Sequence, residues 1–184
     1  MYPVLTFAVL AVSYSPNTEF MDAIDVIDTR NFYKVFYVTS GSSAISINDR
    51  LFVLNAGDII FQRPGDRLTF QISETGNAYL CLIHTEYLST ESTYLLDLFR
   101  HFPLNMFHRA IIALDGEQSE IVRLSFESII IEQQSSNPGK KQATVLHLQM
   151  IMLQIQRAIR SVNYVSPANN AMGPGFTFRP FSYS

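Results

Sequence analysis

The spacing of apolar residues changes near His84, and this change divides the chain into two halves of different structure. From about residue 3 to residue 86, short β-rich runs alternate with turn residues about every 8 to 12 positions, which is typical of a sandwich or barrel. After His84 the apolar residues recur at intervals of three and four, which indicates helices. The sequence therefore predicts a mainly β protein with a C-terminal α region.

The β half is built from aromatic and β-branched runs separated by recognisable turns. Asn48-Asp49-Arg50 predicts a hairpin, because Asn and Asp enter left-handed turn conformations without large strain. Arg63-Pro64-Gly65-Asp66 predicts a second turn. The predicted strands cover residues 32–39, 44–47, 51–54, 59–61, 68–72 and 78–83.

Three helices are predicted in the second half, over about 94–99, 117–134 and 143–163. The last helix is apolar on more than one face. One explanation is that it only packs on the barrel. The other, which we favour, is that its second face meets another subunit, since a small barrel cannot easily cover both faces. The predicted dimer interface consists of Leu148, Ile151, Met152, Ile155 and Ile159.

Composition excludes several classes of protein. The chain has 184 residues, of which only 16% are charged, and its net charge is −3, so it lacks the basic surface of a self-sufficient nucleic-acid binder. The apolar opening over residues 4–12 lacks a basic flank and is too short to span a bilayer, so no membrane association is expected. A single cysteine, Cys81, excludes an internal disulfide and fits a cytoplasmic location.

Familiar catalytic signatures are missing from the sequence. It has no glycine-rich phosphate loop, no nucleophile elbow and no histidine pair at ligand spacing on a helix. Cys81 lies in an apolar strand that should raise its pKa and keep it a thiol. We therefore predict a protein without catalysis, cofactor or metal.

The strand around Lys34 carries the one arrangement that suggests a binding site. If it runs unbroken from about Asp28, then Asp28, Arg30, Lys34 and Phe36 share a face. If that face looks into the barrel, charged groups line a cavity beside aromatic rings, which suits a sugar or a small carboxylate. If the other face looks inward, its tyrosines simply fill the core.

Four short motifs, in order, resemble the N-terminal cupin domain of AraC-type transcription regulators. They are Phe-Tyr-Lys-Val-Phe-Tyr-Val-Thr-Ser-Gly at 32–41, Asn-Asp at 48–49, Ala-Gly-Asp-Ile-Ile-Phe at 56–61 and Arg-Pro-Gly-Asp at 63–66. The resemblance covers about residues 20–163, including the helices. It implies a double-stranded β-helix barrel that binds a small effector, and helices that dimerise the regulator.

Enzymatic cupins resemble the same strands, but they bind a metal through histidines and a glutamate. Here the glutamate position falls on Lys34, two histidine positions fall on about Asp28 and Arg30, and the last falls on Leu68. Two cations and a leucine do not make a site for a divalent metal, because ligands must donate lone pairs. The resemblance to AraC-type proteins implies pocket positions at Phe70, Tyr79 and Cys81, and it favours the cavity interpretation of Arg30 and Lys34. The predicted ligand-binding residues are Arg30, Lys34, Phe36, Phe70, Tyr79 and Cys81.

These observations predict a sensing and dimerisation domain of an AraC-type regulator, with a sugar or small organic acid as effector. The alternatives are a metal-dependent cupin enzyme, such as an isomerase or dioxygenase, and a stand-alone sugar-binding cupin. DNA contact is expected only through a helix-turn-helix domain outside this chain. The predicted division is a barrel over 1–86, a helical dimerisation region over 87–163 and an irregular tail over 164–184.

Overall fold

Eight strands and four helices make up the part of the chain that the computed structural model describes, namely residues 9–14, 29–71, 76–101 and 111–163. The strands are β1 (Val9–Tyr14), β2 (Phe32–Ser40), β3 (Ser42–Ile47), β4 (Arg50–Asn55), β5 (Asp58–Gln62), β6 (Leu68–Gln71), β7 (Asn77–His84) and β8 (Ile112–Ala113). The helices are α1 (Thr85–Glu91), α2 (Thr93–His101), α3 (Gly116–Gln134) and α4 (Lys140–Asn163), and a short 3-10 turn covers Thr29–Asn31.

The strands form two antiparallel sheets. The larger has the order β1-β7-β2-β5-β8, and the smaller has the order β4-β3-β6. Apolar side chains from β2, β5 and β7 share one buried cluster with Ile45 of β3 and Leu54 of β4, so the two sheets face each other. The predicted fold, a cupin-like β structure followed by a packed helix pair, is confirmed.

The turns follow the residue types that the sequence supplies. Asn48 and Asp49 have φ values of 48° and 65°, and Ile47 pairs with Arg50, so the predicted hairpin between β3 and β4 forms with a two-residue turn and with Arg50 already in the strand. Gly65, in the predicted turn before β6, has φ of 91°, a conformation that side-chain-bearing residues rarely adopt. The hairpin fixes the pairing register of β3 and β4, and the turn at Gly65 leads the chain from β5 into β6.

Helix α3 is closed at its start by Asp115. The Asp115 carboxylate accepts from the backbone N–H of Gln118 at 2.8 Å, and the Gln118 side chain accepts from the Asp115 backbone N–H at 3.1 Å. This reciprocal capping box satisfies two backbone donors at a helix N-terminus. The helix predicted over 117–134 is therefore found at Gly116–Gln134, and α4 begins three residues earlier than predicted, directly after Gly139.

The four helices cover the outer face of the larger sheet. A second buried cluster joins Tyr33, Val35 and Tyr37 of β2 to Phe126 of α3 and Met152 of α4. β8 lies within the region predicted as helical, but Ile112 pairs with Ile59 and extends the larger sheet. The barrel and the helices thus share one core, and the predicted tail at 164–184 lies outside the described residues.

The five α4 residues predicted to form a dimer interface are not a free surface, so that prediction is wrong. Leu148, Ile151, Met152 and Ile155 are each at most 1% exposed, and Ile159 is half-buried against the same cluster. Their apolar stripe packs on the chain's own sheet and on α3, which leaves it no room for a second subunit. Leu146, Met150 and Leu153 are instead the large apolar side chains that described α4 residues expose. None of the described helices is long and apolar enough to cross a membrane.

Candidate functional site

Strand β2 lies at the centre of the larger sheet and is buried on both faces. Its residues alternate, so Phe32, Phe36 and Val38 belong to the cluster between the sheets, whereas Tyr33 and Tyr37 belong to the cluster under the helices. We call these the inner face and the outer face of the sheet. Lys34 lies two residues before Phe36 in the same strand, so its side chain also lies on the inner face.

Cross-strand pairing arranges the inner face in tiers. Lys34 pairs with Gln62 of β5 and with Leu82 of β7, and directly opposed residues in an antiparallel pair lie on the same face. The next tier, at Phe36, pairs with Ile60 and Leu80 in the same way and is wholly apolar. A polar tier thus lies beside an apolar tier on one buried face of the sheet.

Lys34 is a charged side chain on this buried face. It is only 1% exposed, and its Nζ donates a hydrogen bond of 2.5 Å to the backbone carbonyl of Asp66. Burial lowers the pKa of Lys34 because desolvation disfavours the ammonium form, and the nearby Asp66 charge offsets part of that effect. Within the described residues, Nζ has no carboxylate at ion-pair distance.

The loop that carries Asp66 is held by the hairpin of the other sheet. The Asn48 side chain donates to Asp66 Oδ1 at 2.9 Å and accepts from the Arg67 backbone N–H at 3.0 Å. Backbone hydrogen bonding adds a third link, from Asn48 N–H to the Arg67 carbonyl at 3.0 Å. The carbonyl that meets Lys34 is therefore fixed by contacts between the two sheets.

Gln62 is the second polar side chain of this tier. It is 3% exposed, and neither its Nε2 nor its Oε1 has a hydrogen-bond partner in the described part of the chain. A buried polar group left without a partner costs about 1–3 kcal/mol, and such groups are few in native proteins. Lys34 and Gln62 together present donors and an acceptor on an inner face whose clustered members in β2, β5 and β7 are apolar.

Two of the six predicted ligand-binding residues, Lys34 and Phe36, lie on the inner face as expected. Arg30 does not, because the strand begins at Phe32 and Arg30 lies exposed in the 3-10 turn before it. The unbroken strand expected from Asp28 is therefore wrong, and Asp28 itself lies outside the described residues. Phe70 pairs through its backbone with Ile45 of β3, and its side chain lies outside the description.

Tyr79 and Cys81 lie on the outer face, so they do not share a pocket with Lys34. The Tyr79 ring stacks on Phe126 of α3 at 5.3 Å, and its hydroxyl donates to Glu127 at 3.1 Å. Cys81 is fully buried in the cluster under the helices, and burial raises the pKa of its thiol, as predicted. The prediction that all six residues line one pocket is wrong in this respect, because alternation along β7 directs Leu80 and Leu82 inward instead.

The described residues of the inner face do not make a metal site. Lys34, at the position where enzymatic cupins place a glutamate ligand, presents an ammonium that is hydrogen-bonded to a carbonyl. Among the described residues, no three His, Cys, Asp or Glu side chains are grouped as a metal site requires. The donor set of this space suits an organic molecule with hydrogen-bonding groups better than a divalent ion.

Sequence reasoning missed Gln62 by one residue. The strand was predicted over 59–61, but β5 continues to Gln62, and all of Ile59, Ile60, Phe61 and Gln62 are buried. The available signal was an amide directly after a short apolar run and before the Arg-Pro-Gly-Asp turn. A strand extended by one position would have placed Gln62 on the same face as Ile60.

The chain matches the family of AraC-like ligand binding domains over residues 28–149. No curated protein sequence matches the chain significantly. Among solved structures, the AraC-like transcriptional activator CuxR is similar at 12% identity over 89% of this chain and 51% of that chain, with a TM-score of 0.42.

Two cupin structures are also similar over part of the chain. The EutQ protein of Clostridium difficile matches at 16% identity over 41% of this chain and 48% of that chain, with a TM-score of 0.27. A Cupin 2 conserved barrel domain protein of Salinispora arenicola matches at 12% identity over 55% of this chain and 78% of that chain, with a TM-score of 0.30. The chain thus spans about half the length of CuxR and of EutQ.

Proposed function

We propose that this chain, which belongs to the family of AraC-like ligand binding domains, senses a small organic effector between its two sheets and passes the signal to its helices. The observation that carries the proposal is the polar tier of Lys34 and Gln62, buried within an otherwise apolar inner face. A protein that only needed a stable core would gain nothing from an unpartnered amide there. The proposed role is regulatory, without catalysis and with a cytoplasmic location.

The path from the site to the helices runs through the sheet itself. β2 presents Phe36 to the inner face and Tyr37 to the outer face, where Tyr37 stacks on Phe126 at 6.2 Å and donates to the Ser119 carbonyl at 3.2 Å. Phe126 is also stacked by Tyr79 of β7. An effector changes the energy of α3 packing only if it binds two arrangements of this sheet with different affinity.

A matched pair of substitutions tests where the effector binds. Sugars and small organic acids are screened by thermal shift, and a hundredfold excess over Kd should raise Tm by about 5–10 °C. Phe36→Leu, on the inner face, should weaken binding. Phe99→Leu, at an equally buried phenylalanine under the helices, should destabilise the chain but leave the affinity unchanged. An equal loss of affinity in both variants refutes the inner-face site.

The second part of the proposal is a homodimer formed through the exposed faces of α3 and α4. Leu146, Met150 and Leu153 form an exposed apolar stripe on α4, at helical spacings of four and three. α4 carries two lysines and two arginines and contains no acidic residue, whereas α3 carries four glutamates and one arginine. This opposite charge favours a second copy as the occupant, with α4 of one chain near α3 of the other.

Sedimentation at micromolar concentration tests the homodimer. The wild-type chain should run at twice its monomer mass of 20.9 kDa. Leu146→Glu combined with Met150→Glu should convert it to monomer without unfolding it, because both side chains are exposed. The control is Leu51→Glu at an exposed leucine on β4, which should leave the dimer intact. A monomeric wild-type chain, or a dimer that survives the double substitution, rejects this interface.

A further inference from the structure

We infer that the guest of the inner face is a monocarboxylate with an apolar body, held at its carboxylate by Lys34 and Gln62. This inference rests on the proposed sensing function and narrows its effector class from sugars and acids to acids. Gln62, which neither composition nor motifs singled out, becomes the determinant that selects this class.

The number of polar groups decides between a sugar and an acid. Tyrosines apart, the buried polar side chains of the described strands are Lys34, Gln62 and Ser43, and Ser43 pairs with Leu54 of the inner cluster. A buried monosaccharide carries several hydroxyl groups, each of which needs a partner. One ammonium, one amide and one hydroxyl are too few for that. They are enough for the two oxygens of one carboxylate.

The donors of the polar tier match a carboxylate in number and charge. The Lys34 ammonium has three N–H donors, of which the described hydrogen bond to Asp66 uses one, and the Gln62 amide has two. Lys34 has no carboxylate at ion-pair distance in the described residues, so a bound anion would supply its counter-charge. Charge-assisted hydrogen bonds of this kind are the strong ones in a low-dielectric space.

The apolar tier defines the rest of the guest. Directly beside the polar tier lie Phe36, Ile60 and Leu80, each at most 5% exposed, and Phe32 flanks the polar tier on its other side. Such a surface attracts a hydrocarbon or aryl group and repels a second charge. The guest therefore carries its single charge at one end.

The inference is tested on the full chain by titration calorimetry with matched probes. Phenylacetate and hexanoate are compared with 2-phenylethanol and 1-hexanol, which keep the apolar body and lose the charge, and with D-glucose and D-xylose. At least one acid should bind, about tenfold or more tighter than its alcohol. Binding of an acid should also weaken as pH rises, because Lys34 loses its proton at a lowered pKa.

Substitutions in the polar tier sharpen the test. Lys34→Met should weaken the acid by about 10- to 100-fold, and Gln62→Leu by about tenfold. Gln62→Leu should not lower Tm, since it removes an unpartnered buried amide, so a loss of affinity cannot be attributed to unfolding. The control is Gln154→Leu at a buried glutamine of α4, whose Nε2 lies 3.5 Å from Met150 Sδ, and it should keep the affinity.

Each outcome has a defined meaning. Sugar binding that depends on Phe36, without acid binding, overturns this inference but leaves the sensing function standing. Equal binding of acids and alcohols, or acid binding that ignores Lys34 and Gln62, also overturns it. If no probe binds the chain at millimolar concentration, both the acid class and its anchor are rejected.

Discussion

The two faces of the larger sheet differ in what completes them. On the outer face, two tyrosine hydroxyls find partners on α3, because Tyr37 donates to Ser119 and Tyr79 donates to Glu127. On the inner face, Gln62 has no partner within the described residues and Lys34 reaches only a backbone carbonyl. On the outer face, these hydroxyl groups are therefore hydrogen-bonded within the chain, whereas the inner face holds polar groups that a bound ligand could satisfy.

The backbone of the edge strand β1 is also hydrogen-bonded by a side chain of α3. Gln133 of α3 accepts from the Ala11 backbone N–H at 2.6 Å and donates to the Ala11 carbonyl at 2.9 Å. The side-chain amide thus replaces a neighbouring strand at the edge of the sheet. Two glutamines, Gln133 and Gln62, are therefore used in opposite ways: described residues hydrogen-bond both amide atoms of Gln133 and neither amide atom of Gln62.

The largest expected effect comes from breaking the outer face. Phe126→Ala removes the ring that Tyr37 and Tyr79 both stack upon, and it should lower the free energy of unfolding by about 3–5 kcal/mol. The measurement is urea denaturation followed by circular dichroism. Ile131→Ala, at an exposed residue of the same helix, should change it by less than about 0.5 kcal/mol. Similar losses in the two variants would show that α3 does not pack as described.

A smaller loss is expected where α3 meets the edge of the sheet. Gln133→Ala leaves the Ala11 backbone groups without their side-chain partner and should lower the free energy of unfolding by about 1–3 kcal/mol. Gln134→Ala, at the exposed neighbouring residue, is the matched control and should be nearly neutral. Hydrogen exchange at Ala11 should quicken in the first variant alone. Unaltered exchange there argues against the two hydrogen bonds between Gln133 and Ala11.

The smallest effect should come from the inner face, and it should depend on pH. The pKa of Lys34 is lowered in the folded chain, so between that value and the ordinary 10.5 the unfolded state binds more protons. Lys34 therefore makes a contribution to the free energy of unfolding that rises with pH in that window, whereas Cys81 and the buried tyrosines, whose pKa values are raised, make contributions that fall. The Lys34 contribution is the difference between the wild-type curve and the Lys34→Met curve, and this difference should increase with pH, whereas the difference for Lys140→Met, at an exposed lysine, should stay flat. A Lys34 difference that stays flat or falls with pH in this window contradicts the burial of Lys34.

The periodicity of the sequence predicted the fold well because it reports burial directly. The change from a period of two to one of three and four placed the sheets and the helices, and the Asn48-Asp49 hairpin followed from residue chemistry. The site was harder to predict. Alternation shows which residues of a strand share a face, but it does not tell which face is inside when both are buried. The resemblance to AraC-type proteins implied pocket positions at Tyr79 and Cys81, and both lie on the outer face.

The predicted dimer interface on α4 was wrong for a related reason. Apolar residues on several faces of α4 predicted a partner, but α4 packs on both the sheet and α3, and this uses Leu148, Ile151, Met152 and Ile155. Only tertiary packing separates these from Leu146 and Met150, which have the same residue types and remain exposed. Hydropathy alone carries no information on which neighbour covers an apolar face.

The most direct experiment determines which face of the larger sheet a bound ligand contacts. Intermolecular nuclear Overhauser effects are measured between phenylacetate and the isotope-labelled full chain. A ligand bound between the two sheets should show contacts from its ring to Phe36 and Leu80, on the inner face, and none to Phe126 or Tyr79. Contacts to Phe126 and Tyr79 without any to Phe36 would rule out binding at the inner face.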